Sequence, residues 1–156
     1  MQTLHFSILI NAPKEKVWNT MLEDETYREW TSAFSPEGSY YEGGWNEGDE
    51  ILFLGGDGNK EGAVSGMISR IKESKPFDFV SIQHLGEIHN GEKKLWYGEG
   101  TVNSEAFENY TFEEKDGGTE VIVDLTASDG FPYNMEEMFK DMWPKALQSL
   151  KEIAER

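Results

Sequence analysis

The sequence predicts an α+β fold in which the helices lie apart from one antiparallel sheet. Three observations support this: a strand runs directly into two short helices, about five or six strand-like runs follow, and one long helix closes the chain. The chain has 156 residues, a length that suits one domain with a substantial core. No Pro-, Gly- or Ser-rich linker divides it, so we treat residues 1–156 as a single domain.

The first element is a strand over about residues 3–10. Apolar Leu4, Phe6, Ile8 and Ile10 alternate with their neighbours, and a period of two is typical of a strand with one buried face. This strand ends at the "NAP" tripeptide.

Two short helices follow in "PKEKVWNTMLEDETYREW", residues 13–30. Pro13 suits the first helical position, where its missing N–H is not needed. Asp24 is a plausible cap for the second helix, in which Tyr27 and Trp30 are one turn apart. The spacing of the apolar residues in the first helix indicates one buried stripe.

From about residue 38 onwards, strand-like runs alternate with turn signals. The "KDGG" sequence at residues 115–118 is the clearest hairpin, because Asp-Gly readily adopts positive φ. The predicted strands are "EILFL" at 50–54, "GAVSGMISRI" at 62–71, "FDFVSIQHL" at 77–85, "EAFENYTFEE" at 105–114 and "TEVIVDLTA" at 119–127, with "GSYYEGGW" as a further edge strand.

The chain closes with a helix predicted over about residues 134–154. Pro144 lies inside it and should kink the helix near residues 140–143, because proline lacks a backbone donor. Apolar residues at spacings of three and four define its inward face: Met135, Met138, Phe139, Met142, Ala146, Leu150 and Ile153.

Charge and composition exclude several classes of function. Lys plus Arg is 14 and Asp plus Glu is 30, so the formal net charge is −16. This excess repels phosphate backbones and anionic lipid surfaces, so we expect no nucleic acid partner. The chain has no cysteine, which excludes disulfides and thiolate chemistry. No run approaches the roughly 20 apolar residues of a membrane span, so we expect a cytoplasmic protein without membrane insertion.

Motifs at both ends of the chain carry a family resemblance. The helix entry has Ala12, Pro13, Glu15, Val17 and Trp18, and the end has Trp143, Leu147 and Leu150. With "GMISRI" followed by "KPFDFVSI" between them, the whole chain resembles the START/Bet v 1-like (SRPBCC) superfamily. Within it, the chain is most similar to the group named for the activator of Hsp90 ATPase homologue 1.

This resemblance implies a helix-grip fold. A strongly curved antiparallel sheet of about six or seven strands would wrap the C-terminal helix, and the two short helices would support one end. An apolar cavity between sheet and helix is expected. Members of the superfamily bind lipids, sterols or polyketides, some are cyclases or dehydratases, and the cochaperone that names the group stimulates Hsp90.

Two motifs that suggest metal or phosphate sites do not meet their requirements. "GGDGNKEG" at residues 55–62 resembles half a calcium loop, but the twelfth position is Ile68 instead of a bidentate Glu. It also lacks the Gly-Lys-Ser/Thr of a phosphate loop. In "HLGEIH" at residues 84–89, His84 and Glu87 would face opposite sides of a strand. We therefore predict no metal site and no cofactor.

His84 itself follows Val80 and Ile82 at a period of two, so we expect it on the concave side of the sheet. It is either a hydrogen-bonded core histidine or a polar anchor inside a cavity. No Ser-His-Asp pattern is recognisable, and nothing in the sequence places Glu99, Glu105 or Glu108 in a pocket. We therefore predict no catalytic residue.

Aromatic and methionine side chains complete the candidate ligand site. Either they fill the core, or they surround a cavity that takes a small apolar molecule. The candidate cavity residues are Trp30, Phe34, Tyr41, Phe53, His84, Trp96, Phe131, Tyr133, Met135, Met138 and Met142, with Trp45 nearby.

Three hypotheses follow for the function. The first is a non-catalytic protein that binds an apolar or amphipathic small molecule between the sheet and the C-terminal helix, with loops 55–62 and 86–100 as gates. The second is a cyclase- or hydrolase-type enzyme on the same scaffold, which would need titratable groups that converge in the cavity. The third is an interaction module for an Hsp90-type chaperone, which would need a filled core and a coherent acidic or apolar patch on its exterior.

Overall fold

The computed structural model describes residues 2–33, 39–56, 64–89, 92–95, 106–128 and 135–156. It confirms the α+β helix-grip prediction: a curved antiparallel sheet packs against the C-terminal helix. The elements are β1 (Gln2–Ile10), α1 (Lys14–Leu22), α2 (Asp24–Trp30), a 3-10 turn (Thr31–Ala33), β2 (Ser39–Gly43), β3 (Glu50–Gly56), β4 (Val64–Lys75), β5 (Phe79–His89), β6 (Glu92–Leu95), β7 (Ala106–Lys115), β8 (Gly118–Ala127) and α3 (Met135–Ala154).

The sheet has eight strands within the described residues, with the order β1-β8-β7-β5-β4-β3-β2 and with β6 paired to the end of β5. This is one strand more than the upper expected number. The extra strand β6 has the sequence EKKL and four exposed side chains, so it lacks the alternation that identifies a strand. The predicted hairpin at residues 115–118 is confirmed: Lys115 pairs with Gly118, and Asp116 and Gly117 have φ of 49° and 82°.

The starts of the two short helices differ from the prediction. Pro13 is extended, with φ −69° and ψ 156°, so it precedes α1 instead of opening it. Glu23 occupies the cap position of α2 without a side-chain cap bond. Asp24 is already inside that helix, where its Oδ1 lies 3.0 Å from Nε of Arg28. Both helices contact α3, which confirms their expected role as its support.

The core between this support and the sheet is filled with aromatic rings. Trp143 on α3 packs against Phe6, Trp30 and Tyr110 at centroid distances of 6.3, 6.0 and 6.1 Å. Trp30 and Tyr110 are each 1% exposed. At this end of the molecule, the hypothesis of a filled core is therefore confirmed.

The predicted inward face of α3 is confirmed at Phe139, Ala146, Leu150 and Ile153 and is wrong at Met138. Its buried residues are Trp143, Ala146, Leu147, Leu150, Ile153 and Ala154, whereas Met138 is 40% exposed. The predicted burial of Met138 is wrong because neighbouring positions on a helix are about 100° apart, and Phe139, not Met138, packs against the core. None of the described helices combines the length and the apolar character that crossing a membrane requires.

Pro144 lies inside α3, and the helix continues through it to Ala154. The side chain is exposed, and Pro removes the backbone N–H that would bond four residues back. We expect Pro144→Ala to raise the free energy of unfolding by about 1–2 kcal/mol, because the gain in helix propensity exceeds the loss of unfolded-state rigidity. Urea denaturation measures this change, and an unchanged or lower midpoint would contradict it.

A polar and aromatic site on the concave face

The central strands of the sheet bring a polar cluster onto the face that packs against α3. Ser69 on β4 pairs directly with His84 on β5. Glu108 on β7 pairs with Ile82, two residues from His84 and on the same face. Because cross-strand partners project to the same side, these three side chains converge over the sheet. The prediction that His84 lies on the concave side is confirmed.

Hydrogen bonds connect the cluster, which also includes Tyr110. Oγ of Ser69 lies 2.7 Å from Nδ1 of His84, and Nε2 of His84 lies 3.3 Å from Oε1 of Glu108. The hydroxyl of Tyr110 donates to Oε2 of Glu108. Since a carboxylate only accepts, we assign the His84 proton to Nε2, and Nδ1 then accepts from Ser69.

Two tyrosines near Glu108 are held in the neutral form. Burial raises the pKa of Tyr110 well above its usual range, and the negative charge of Glu108 raises it further. Burial also raises the pKa of Tyr27, and electrostatic interactions with Glu108 and Tyr41 raise this pKa further. Both phenols therefore remain protonated, because deprotonation would place a second anion beside the Glu108 carboxylate.

Aromatic rings extend from the polar cluster towards the loop between β2 and β3. The Phe53 ring lies 6.3 Å from the His84 ring, 5.7 Å from Trp45 and 6.2 Å from Tyr27, measured between centroids. Tyr41 lies 5.3 Å from Trp45, and its hydroxyl donates to the carbonyl oxygen of Leu22 at 2.6 Å. The aromatic row is thus continuous with the polar cluster.

One polar atom in this row has no partner. Nε1 of Trp45 is buried and makes no hydrogen bond. A buried donor without an acceptor costs about 1–3 kcal/mol. An acceptor supplied by a bound molecule would offset that cost.

The structure brings only part of the predicted site together. Tyr41, Phe53 and His84 meet on the concave face. Trp30 belongs to the filled core, where its Nε1 donates to the carbonyl oxygen of Met21 at 3.0 Å. Met142 is half-buried on α3. Phe34, Trp96, Phe131 and Tyr133 lie outside the described residues, as do the side chain of Met135 and loop residues 57–62.

The prediction that residues 55–62 and 86–100 form gating loops is partly wrong. Residues 55–56 complete β3, residues 86–89 complete β5, and residues 92–95 form β6. These stretches are paired strands because their backbone groups bond to neighbouring strands.

The sequence prediction missed Glu108 as a site residue, although a signal was present. Ala106, Glu108, Tyr110 and Phe112 alternate at a period of two, and Tyr110 and Phe112 are buried. A residue between Ala106 and Tyr110 in this series must share their face. On β4, Ser69 lies between Met67 and Ile71 at the same period of two, so alternation places all three on one face of the sheet.

The predicted placement of Glu87 is wrong because β5 contains a bulge. His84 pairs with Ser69, but Gly86 pairs with Ile68, so the register shifts by one residue. Glu87 then pairs with Met67 and shares the face of His84. A bulge interrupts simple alternation, which is why counting residues put the two side chains on opposite faces. No group of three metal-ligating side chains occurs among the described residues.

The Ser69–His84–Glu108 chain resembles a hydrolytic triad only in composition. Ser69 is 0% exposed and packs within the sheet face. A serine nucleophile must reach the carbon that it attacks, and a buried Ser69 does not. The cluster is instead suited to accept hydrogen bonds at Glu108, whose side chain is 21% exposed.

Open grooves also occur on the surface of the described structure. One of about 390 Å³ runs along α1 and α2, beside Pro13 and Thr26. Another of about 490 Å³ lies on the convex face of the sheet, beside Lys72 and Phe107. Both are shallow and lie away from the concave polar cluster.

A family model supports the resemblance found in the sequence. The model described as "Activator of Hsp90 ATPase homolog 1-like protein" matches residues 11–155. The chain belongs to this Hsp90-activator-like family. No curated protein matches the chain.

Solved structures share the fold of this family member at low sequence identity. An uncharacterised protein from Rhizobium leguminosarum is 14% identical with a TM-score of 0.71, covering 99% of this chain and 95% of that one. The Aha1 dimer from Colwellia psychrerythraea is 18% identical with a TM-score of 0.70, covering 99% and 97%. DynU16, from the dynemicin biosynthetic locus, is 14% identical with a TM-score of 0.67, covering 97% and 46%.

Proposed function

We propose that this Hsp90-activator-like protein is a cytoplasmic, non-catalytic carrier of an amphipathic small molecule, which binds on the concave face of the sheet. The observation that supports this most is the junction of a polar cluster with a row of aromatic rings, at Glu108, His84 and Phe53. Small-molecule sites combine apolar walls with a few convergent polar groups. The polar cluster would orient the ligand, and the rings would contact its apolar body.

The position of the junction supports the proposal. Trp30 and Trp143 fill the core near α1 and α2, whereas Glu108 and His84 lie further along their strands. The side chain of His84 is 12% exposed and that of Glu108 is 21% exposed. Keeping a carboxylate at a partly buried position costs free energy unless partners compensate it, and a ligand that bonds to Glu108 would supply such a partner.

Titration with Nile red, a neutral dye whose fluorescence rises in apolar sites, tests the proposal. We expect saturable binding at one site per chain. Phe53→Ala should raise the dissociation constant about tenfold, since loss of a buried aromatic contact costs 1 kcal/mol or more. Phe107→Ala is the matched control, because Phe107 lies on β7 with Lys72 over its ring, on the opposite face.

Two outcomes would contradict the proposal. One is the absence of saturable binding, and the other is equal weakening by Phe53→Ala and Phe107→Ala. Native mass spectrometry of the freshly purified protein is a complementary measurement. A reproducible added mass that Phe53→Ala removes and Phe107→Ala retains would give the chemical class of the natural ligand.

The family description favours a second candidate, a cochaperone for an Hsp90-type protein. The description of the family names activation of the Hsp90 ATPase. Such a protein needs a binding surface and no concave ligand. Stimulation of the ATPase of an Hsp90-type chaperone by a chain that does not bind Nile red would favour this candidate over the carrier.

A further inference from the structure

The proposed function does not specify the polar group of the ligand. The hydrogen bonds of the cluster restrict which chemical groups can bind there. Resting on that function, we propose that the site takes a ligand with a cationic amine at its polar end, accepts a hydroxyl less well, and discriminates against a carboxylate. The recognising group is the carboxylate of Glu108, beside the rings of His84 and Phe53.

The donors of the cluster are already used. The Ser69 hydroxyl donates to His84, Nε2–H of His84 faces Glu108, and the Tyr110 hydroxyl donates to Glu108. No donor of these residues remains for an anionic ligand. A carboxylate has about four acceptor positions, of which two are occupied here. The four residues of the cluster therefore offer free acceptors and no free donor, and the unpartnered Nε1–H of Trp45 belongs to the adjoining aromatic row.

The charges on this face favour the same class of ligand. Within the described part of the chain, no Lys or Arg forms an ion pair with Glu108. Lys72 lies over the ring of Phe107 on the convex face. The net charge of −16 also attracts cations to the molecule as a whole.

The aromatic row adds a further preference for an ammonium group. The ring of Phe53 lies 6.2 Å from that of Tyr27 and 5.7 Å from that of Trp45, measured between centroids. The negative face of an aromatic ring attracts a cation at about 6 Å or less. A carboxylate next to such rings favours an ammonium over a neutral hydroxyl, because both attract positive charge.

Three probes with the same naphthyl body test this inference: naphthylethylamine, which is protonated at neutral pH, naphthylethanol and naphthylacetate. Each displaces bound Nile red, and the dissociation constants are compared. We expect the amine to bind at least about tenfold more tightly than the acetate, as a charge-assisted hydrogen bond and the removal of repulsion predict. The alcohol should be intermediate.

Variants assign the preference to Glu108. Glu108→Gln should reduce the ratio between amine and acetate to about threefold or less, since the amide is neutral. Glu114→Gln is the control: it removes the same charge from an exposed position about 20 Å further along β7, and the ratio should stay at its parent value. Thermal melts verify that both variants are folded.

The outcomes separate this inference from the function on which it rests. If Nile red does not bind, the proposed function fails, and the inference fails with it. If Nile red binds but the acetate binds as well as the amine, or the amine does not displace the dye, only the inference is overturned. The same holds if Glu108→Gln keeps the parent ratio.

Discussion

Trp143→Ala is expected to lower the free energy of unfolding by about 3–5 kcal/mol, the usual range for truncating a buried Trp. Trp143 is 3% exposed and contacts rings from β1, from α2 and from β7. It therefore joins the C-terminal helix, the helical support and the sheet. Its removal leaves a cavity at the point where all three meet, and the rigid rings around it cannot close that space.

Urea denaturation followed by circular dichroism measures this loss. Met138→Ala is the matched control on the same helix, because its side chain is 40% exposed. We expect a change of about 0.5 kcal/mol or less for the control. A loss below about 1.5 kcal/mol for Trp143→Ala, or equal losses for both variants, would contradict this account of the core.

The fold was predictable because its signals are local and periodic. The alternation of Leu4 to Ile10 identified β1, and the Asp116–Gly117 turn identified the β7–β8 hairpin. Each pattern follows from the geometry of one element. The exception among the strands is β6, which is exposed and short. β6 is a strand because it pairs with β5, and its own sequence does not indicate this.

The site was less predictable, because it depends on how elements combine. The extra residue Leu85 moves Glu87 to the face of His84, and no local pattern indicates a bulge there. The inward direction of α3 depends on the packing of Phe139 against the core and of Trp143 against rings of β1 and β7. A face assignment shifts with one residue of register, so Met138 was assigned to the wrong side.

Glu108 shows the limit of judging residues by type. An acidic residue in an acidic chain is ordinarily exposed. Because the chain has many acidic residues, residue type alone did not single out Glu108. Its position between Ala106 and Tyr110 was the better guide. Alternation, applied to charged as well as apolar residues, would have placed it on the concave face.

Glu108→Ala is expected to lower the free energy of unfolding by about 2–3 kcal/mol. The variant leaves the Tyr110 hydroxyl and the Nε2–H of His84 without their acceptor, and each unsatisfied buried donor costs about 1–3 kcal/mol. The partial exposure of Glu108 admits water, which keeps the total below the sum of both. Glu114→Ala, at an exposed position on the same strand, should change stability by about 0.5 kcal/mol or less.

Glu108→Gln should cost about 1 kcal/mol or less, because the cluster can rearrange its protons. The amide oxygen accepts from Tyr110, and the amide N–H donates to Nε2 of His84 if the imidazole proton moves to Nδ1. That proton then donates to Oγ of Ser69, so Tyr110, residue 108 and both ring nitrogens of His84 keep a partner, and only the Ser69 hydroxyl proton has to turn away from His84. The nitrogen chemical shifts of His84 report its tautomer and should change from the Nε2–H to the Nδ1–H pattern. An unchanged tautomer, or a loss as large as that of Glu108→Ala, would show that Glu108 does not organise the cluster through hydrogen bonds.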